Sequence, residues 1–140
     1  MINSLDSVAI ESFRADMDEY QIIASGSAIY PGRGTPLGLA YCALKLNGEA
    51  GELAEHVGKA MRDDNLMEPQ LDETSLALRD NKLTPERREL ILKEIGDCLW
   101  YLSALCRELG TTLSVVALMN LRKLYSRQQR NALQGGGDER

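Results

Sequence analysis

Two acidic couples are the most reactive feature of this chain: Glu49-Ala50-Gly51-Glu52 and Glu94-Ile95-Gly96-Asp97. Residues three apart on a helix share a face, so each couple presents two carboxylates in one direction. Both sit among apolar neighbours, Leu46 and Leu53 around the first, Ile91 and Leu99 around the second. If the two helices pack antiparallel the couples meet, and the charges repel. At about 4 Å two like charges cost roughly 4 kcal/mol at an effective dielectric near 20, and each raises the pKa of its neighbours. A divalent cation removes that cost. Glu49, Glu52, Glu94 and Asp97 are therefore candidate metal ligands. An all-oxygen set without His or Cys points to Mg²⁺, with Mn²⁺ able to substitute, rather than to zinc. Either couple alone is what a solvated helix face looks like; two copies, each with glycine before its second acid, favour a site. Glycine costs about 1 kcal/mol inside a helix, so Gly48, Gly51, Gly58 and Gly96 predict close approach of a neighbouring backbone.

The positive charge lies at helical spacing too. Lys45, Glu49, Glu52, His56 and Lys59 form one stripe; Asn120, Lys123, Arg127 and Arg130 form another. Carboxylate-held metal flanked by Lys and Arg can grip a di- or triphosphate. Lys59, Asn120, Lys123 and Arg127 are thus candidate phosphate ligands, against the plainer alternative of a solvated face favoured by a helix C-terminus. His56, the one histidine, reads as a surface or supporting residue rather than a ligand. Trp100 and Tyr101 follow Asp97 by three and four positions. Either could stack on a base, although a helical Trp equally suits a core.

Four helices must position these groups. Leu5, Ala9, Phe13, Met17, Tyr20 and Ala24 mark a first over about 6–24. Thr35-Pro36 is an N-cap followed by proline and starts a second that runs to Arg62. Thr84-Pro85 starts a third, to Leu109, with Gly110 as its stop. A fourth begins at Thr112 or Ser114 and reaches about Leu133. Residues 63–84 form a polar loop with room for a short helix near 73–79, and 134–140 a glycine-rich tail. The whole of 1–140 reads as one all-α domain, a bundle of four to five helices.

Bulk properties narrow the partners. A net charge of -5 argues against a nucleic-acid binder, which needs excess Lys and Arg to displace counterions. No signal peptide is apparent, and no apolar run approaches the roughly 20 residues that span a bilayer. Cys42, Cys98 and Cys106 read as core thiols of a reducing cytoplasm. The apolar helical surface is large for a lone chain to cover, which predicts an oligomer.

These residues resemble a known family. Leu46-Asn47-Gly48-Glu49-Ala50-Gly51-Glu52-Leu53-Ala54-Glu55, with Lys59 after it, is similar to the first metal-binding helix of the all-α nucleoside triphosphate pyrophosphohydrolases, MazG-like branch. Glu94-Ile95-Gly96-Asp97-Cys98-Leu99-Trp100-Tyr101-Leu102 is similar to the second. Asn120-Leu121-Arg122-Lys123-Leu124, then Arg127, Arg130 and Gly137-Asp138-Glu139-Arg140, resembles the third signature and its tail. Gly48 stands where some members carry a further glutamate, and Lys93-Glu94 where many carry paired glutamates. These departures fit either fewer metal ions or a separate branch. The resemblance implies hydrolysis between the α and β phosphates, giving a monophosphate and pyrophosphate. Glu52 would orient the water as general base, and Lys59, Lys123 and Arg127 would hold the leaving pyrophosphate. It also implies a homodimer or a homotetramer built from two. Aromatic platforms lean slightly to purine substrates such as dGTP. The alternatives are a dimeric dUTPase or dCTPase-like enzyme, a phosphoribosyl-ATP pyrophosphohydrolase, or a helical adaptor without catalysis.

Overall fold

The computed structural model describes residues 7–64, 66 and 83–130. Among them the chain forms four helices and no strand: α1 Ser7–Ser25, α2 Pro36–Asp63, α3 Pro85–Glu108 and α4 Leu113–Gln129. The starts follow local chemistry. Thr35 Oγ1 accepts the Leu37 N–H, Thr84 Oγ1 the Arg87 N–H and Thr112 Oγ1 the Val115 N–H. Each satisfies a donor that a helix start leaves open. Thr112, rather than Ser114, caps α4. Gly110, at φ 66°, takes the left-handed conformation that ends α3.

α2 and α3 run antiparallel. Arg87, at the start of α3, donates to Asp64 just past the end of α2 at 2.9 Å. Glu108, at the other end of α3, reaches Gly34 just before α2 begins. Between these ties, buried Cys42 and Ala104 form a small core with Tyr30, and Trp100, Tyr101, Tyr41, Ala28 and Leu105 pack against it. Cys42 and Cys106 are buried and Cys98 partly so; all three are free thiols.

The chain bends by 101° between α3 and α4, and α1 secures the corner. Buried Gln21 accepts the Leu113 N–H at 2.6 Å and donates to the Thr111 carbonyl at 3.2 Å. α4 therefore packs on α1 and α3 and makes no contact with α2. No single helix among the described residues is long and apolar enough to cross a membrane.

Two expectations need correction. Among the described residues, a Cβ added at Gly48, Gly51, Gly58 or Gly96 would meet nothing within 4 Å, so no described backbone approaches them closely and the α2–α3 contact does not use them. α4 also stops earlier than its pattern suggested, at Gln129 with Arg130 as C-cap. Among the described residues after Tyr125, Arg127 alone is buried. The short helix expected near 73–79 and the tail at 134–140 lie outside the described residues.

Candidate active site

Antiparallel pairing brings the two acidic couples to one place. Glu49, Glu94 and Asp97 each offer a carboxylate oxygen, and the three oxygens lie within 4.8 Å of one another. Glu49 and Glu94 are the better shielded, with side chains 13% exposed. Glu52, one turn along α2 from Glu49, is exposed and stands outside this group of three. The donor set is hard oxygen throughout, and the separation leaves room for one small cation between the carboxylates. It fits Mg²⁺ or Mn²⁺. Cys98 lies beside the acids but is a poor competitor for metal: burial pushes its thiol pKa up, and Glu49, Glu94 and Asp97 push it further.

Basic groups reach the acids from α2. Lys45 Nζ lies 3.1 Å from Glu49 Oε1, and its ordinarily high pKa is raised further by that hydrogen bond. The same ammonium sits 6.0 Å from the ring centre of Tyr101, near the outer limit of a cation–π contact. His56 Nε2 stands 3.8 Å from Glu94 Oε1, which is beside the acids, as a supporting residue should be. Lys59 is farther along α2 and pairs with Glu55.

The second basic stripe is elsewhere. Asn120 and Lys123 are exposed on α4, and Arg127 is buried there. Because α4 makes no contact with α2, the fold of one chain does not bring this stripe onto the first acidic couple.

A cavity of about 660 Å³ opens from the acids. Glu49 and Asp97 line one part, and Tyr30, Tyr41, Trp100 and Tyr101 line the rest with Ser27, Ile29 and Pro31. Trp100 packs on the core, and it also borders this space. Its Nε1–H donates to Ser27 Oγ at 2.9 Å and to the Ala24 carbonyl at 3.2 Å. Trp100 and Tyr101 meet edge to face at 4.8 Å. Tyr20 of α1 also stands near Asp97; burial, then that carboxylate, raises its phenol pKa. Lys45 belonged to the charged stripe but carried no assigned role. Tyr41 lies outside the charged stripe, and no motif marks it. Extending the α2 stripe back one turn, Tyr41-Lys45-Glu49, would have found it.

An all-α domain that gathers three carboxylates at the mouth of an aromatic-lined cavity has the parts to hold a metal and a nucleotide. The MazG nucleotide pyrophosphohydrolase domain matches residues 40–131. The chain belongs to that family of divalent-metal-dependent hydrolases acting on nucleotides. It is 41% identical over 127 residues to Gene 37 protein of Mycobacterium phage L5, covering 89% of this chain and 98% of that one. No solved structure matches it.

Proposed function

We propose that this protein is a Mg²⁺-dependent nucleoside triphosphate pyrophosphohydrolase that converts a (d)NTP and water to the monophosphate and pyrophosphate. One observation carries the reading: a single cavity runs from the carboxylates Glu49 and Asp97 to the rings of Trp100 and Tyr101. A nucleotide has the same polarity, with anionic phosphates at one end and a flat base at the other.

In this reading Glu49, Glu94 and Asp97 hold the cation, with Glu52 completing the set from one turn along α2. A bound divalent cation supplies charge neutralisation at the phosphates and acidifies water. Glu52 is also the general base, its exposed carboxylate accepting the proton of the attacking water. Lys45 orients Glu49 through their contact. Lys59, Asn120, Lys123 and Arg127 bind the departing pyrophosphate. Tyr101 and Trp100 hold the base, with a slight preference for purines such as dGTP because larger rings stack better.

The active form is a homodimer, or a dimer of such dimers, in the cytoplasm. Leu44, Leu92, Ile95, Leu102 and Met119 are each more than 40% exposed, an apolar surface that a second copy would cover. Assembly also offers a way for α4 of one subunit to bring Lys123 to the acids of the other.

The test is a panel of ribo- and deoxyribonucleoside triphosphates with Mg²⁺, scored for products. Monophosphate and pyrophosphate released together are expected. Diphosphate with orthophosphate as the main products would overturn the reaction. Turnover of dUTP or dCTP with kcat/KM well above dGTP and dATP would overturn only the purine preference.

A further inference from the structure

The turn between α1 and α2 is tied to the far end of α3 through one side chain. Glu108, the last residue of α3, accepts the Tyr30 hydroxyl on Oε1 at 2.6 Å. It accepts the Gly34 N–H on Oε2 at 2.9 Å. The corner is tightly filled: a Cβ at Gly38 would lie 2.5 Å from the Gly32 carbonyl oxygen and 3.0 Å from Glu108 Oε2. Tyr30 passes the constraint on. Its ring is 8% exposed, lies parallel to Tyr41 at 6.1 Å and meets Trp100 edge-on at 6.1 Å. All three rings line the cavity that leads to the acids. Burial and the Glu108 hydrogen bond push the Tyr30 phenol well above its ordinary range, so it remains a donor at any working pH. Removing the carboxylate would leave the part-buried Tyr30 hydroxyl without its acceptor, which costs desolvation free energy, and would release the exposed Gly34 N–H to solvent. Glu108 lies fourteen residues from Glu94, about 21 Å along the helix, too far to touch a metal there.

We propose that Glu108 is a positioning residue for base recognition: by anchoring Tyr30 and Gly34 it sets the aromatic wall of the cavity. It governs how tightly and how selectively the base is held, and it leaves the reacting phosphates alone. The proposal rests on the nucleotide reading above.

Glu108→Ala, Glu108→Gln and Tyr30→Phe in the full chain test it. The readouts are KM and kcat for dGTP, dATP, dCTP and dUTP, Mn²⁺ affinity, hydrogen exchange at Gly34, and emission from Trp100, the one tryptophan. Glu108→Ala should raise KM about tenfold, the scale of a lost charge-assisted hydrogen bond. It should also change the ranking of the four bases while kcat and Mn²⁺ affinity hold. Glu108→Gln, which keeps one acceptor, should recover part of the loss, and Tyr30→Phe should show a smaller rise. Unchanged KM for all four nucleotides overturns the proposal, as does a fall in kcat matched by weaker Mn²⁺ binding. If Glu108→Ala does not fold, Glu108→Gln and Tyr30→Phe carry the same comparison. If the wild type hydrolyses none of the four, the nucleotide reading falls on its own. Gly34 exchange and Trp100 emission then decide the anchor: both altered in Glu108→Gln supports it, and both unchanged overturns it.

Discussion

The α2–α3 pair and α4 both carry charged residues at helical spacing, yet only the pair turns them toward a common point. α2 and α3 lie side by side and antiparallel, so Glu49 faces Glu94 and Asp97 across the contact. α4 leaves the end of α3 at a 101° bend and is held there by α1, through Gln21. Its stripe of Asn120, Lys123 and Arg127 is therefore separated from α2. Periodicity shows which residues share a helix face. What that face meets depends on where the neighbouring helix is fixed, and here two connections of very different geometry decide it.

The largest effect should come from breaking the acidic side. Glu94→Gln keeps size and removes a charged ligand, so turnover should fall by about a hundredfold or more, above the range typical of groups that only support a metal ligand. Far-UV circular dichroism should not change, and Mn²⁺ binding should weaken. Near-normal turnover at saturating Mg²⁺ would mean that the acids are a surface feature.

Tyr101→Ala probes the other end of the same cavity. Stacking on a base is worth about 1–3 kcal/mol, which is about 5- to 150-fold in KM, with kcat much less affected. A fall in kcat at constant KM would place Tyr101 in the chemistry instead.

Subunit mixing asks whether the two regions come together by assembly. Lys123→Ala should raise KM about tenfold by loss of a phosphate contact. Mixed with Glu94→Gln and assayed well below KM, it should regain about a quarter of wild-type activity, since half of randomly mixed dimers are hybrids with one intact site. Activity no higher than the average of the two parents would show that Lys123 does not serve the partner's acids. Sedimentation as a 15.5 kDa monomer would exclude the arrangement altogether.

The smallest effect concerns the clamp that sets α4 aside. Burial alone would raise the Asp18 pKa, but the Ser114 and Thr112 hydroxyls and the Ser114 backbone beside its carboxylate, with Arg14 nearby, hold it below its ordinary 3.8. A carboxylate with a lowered folded pKa stabilises the protein above the unfolded value and loses that contribution as pH falls through the folded one. Asp18→Asn should therefore lower Tm at neutral pH by a few degrees, the scale of about 1 kcal/mol for a helix cap in a chain this size. The gap should close below about pH 3.8. A constant gap down to pH 3 would assign the effect to packing.

The helix starts at Thr35-Pro36 and Thr84-Pro85 and the stop at Gly110 were legible in the residues themselves; of the four acids the pattern picks out, Glu49, Glu94 and Asp97 come together and Glu52 stands apart. Caps, proline at the first turn and left-handed glycine act within a few residues, so local sequence suffices to specify them. The glycines inside α2 and α3 misled for the opposite reason: glycine permits close approach, but only a neighbour can use the permission, and among the described residues none does. Tyr41, Lys45 and Glu108 were legible as residues and not as partners. Their roles come from contacts between separate elements, as between Tyr30 and Glu108, Tyr30 and Tyr41 or Lys45 and Tyr101. Residue pattern specifies the helices and the chemical character of each face. Which faces meet is a matter of packing, because the antiparallel register of α2 on α3 and the corner before α4 are set by long-range hydrogen bonds and side-chain contacts.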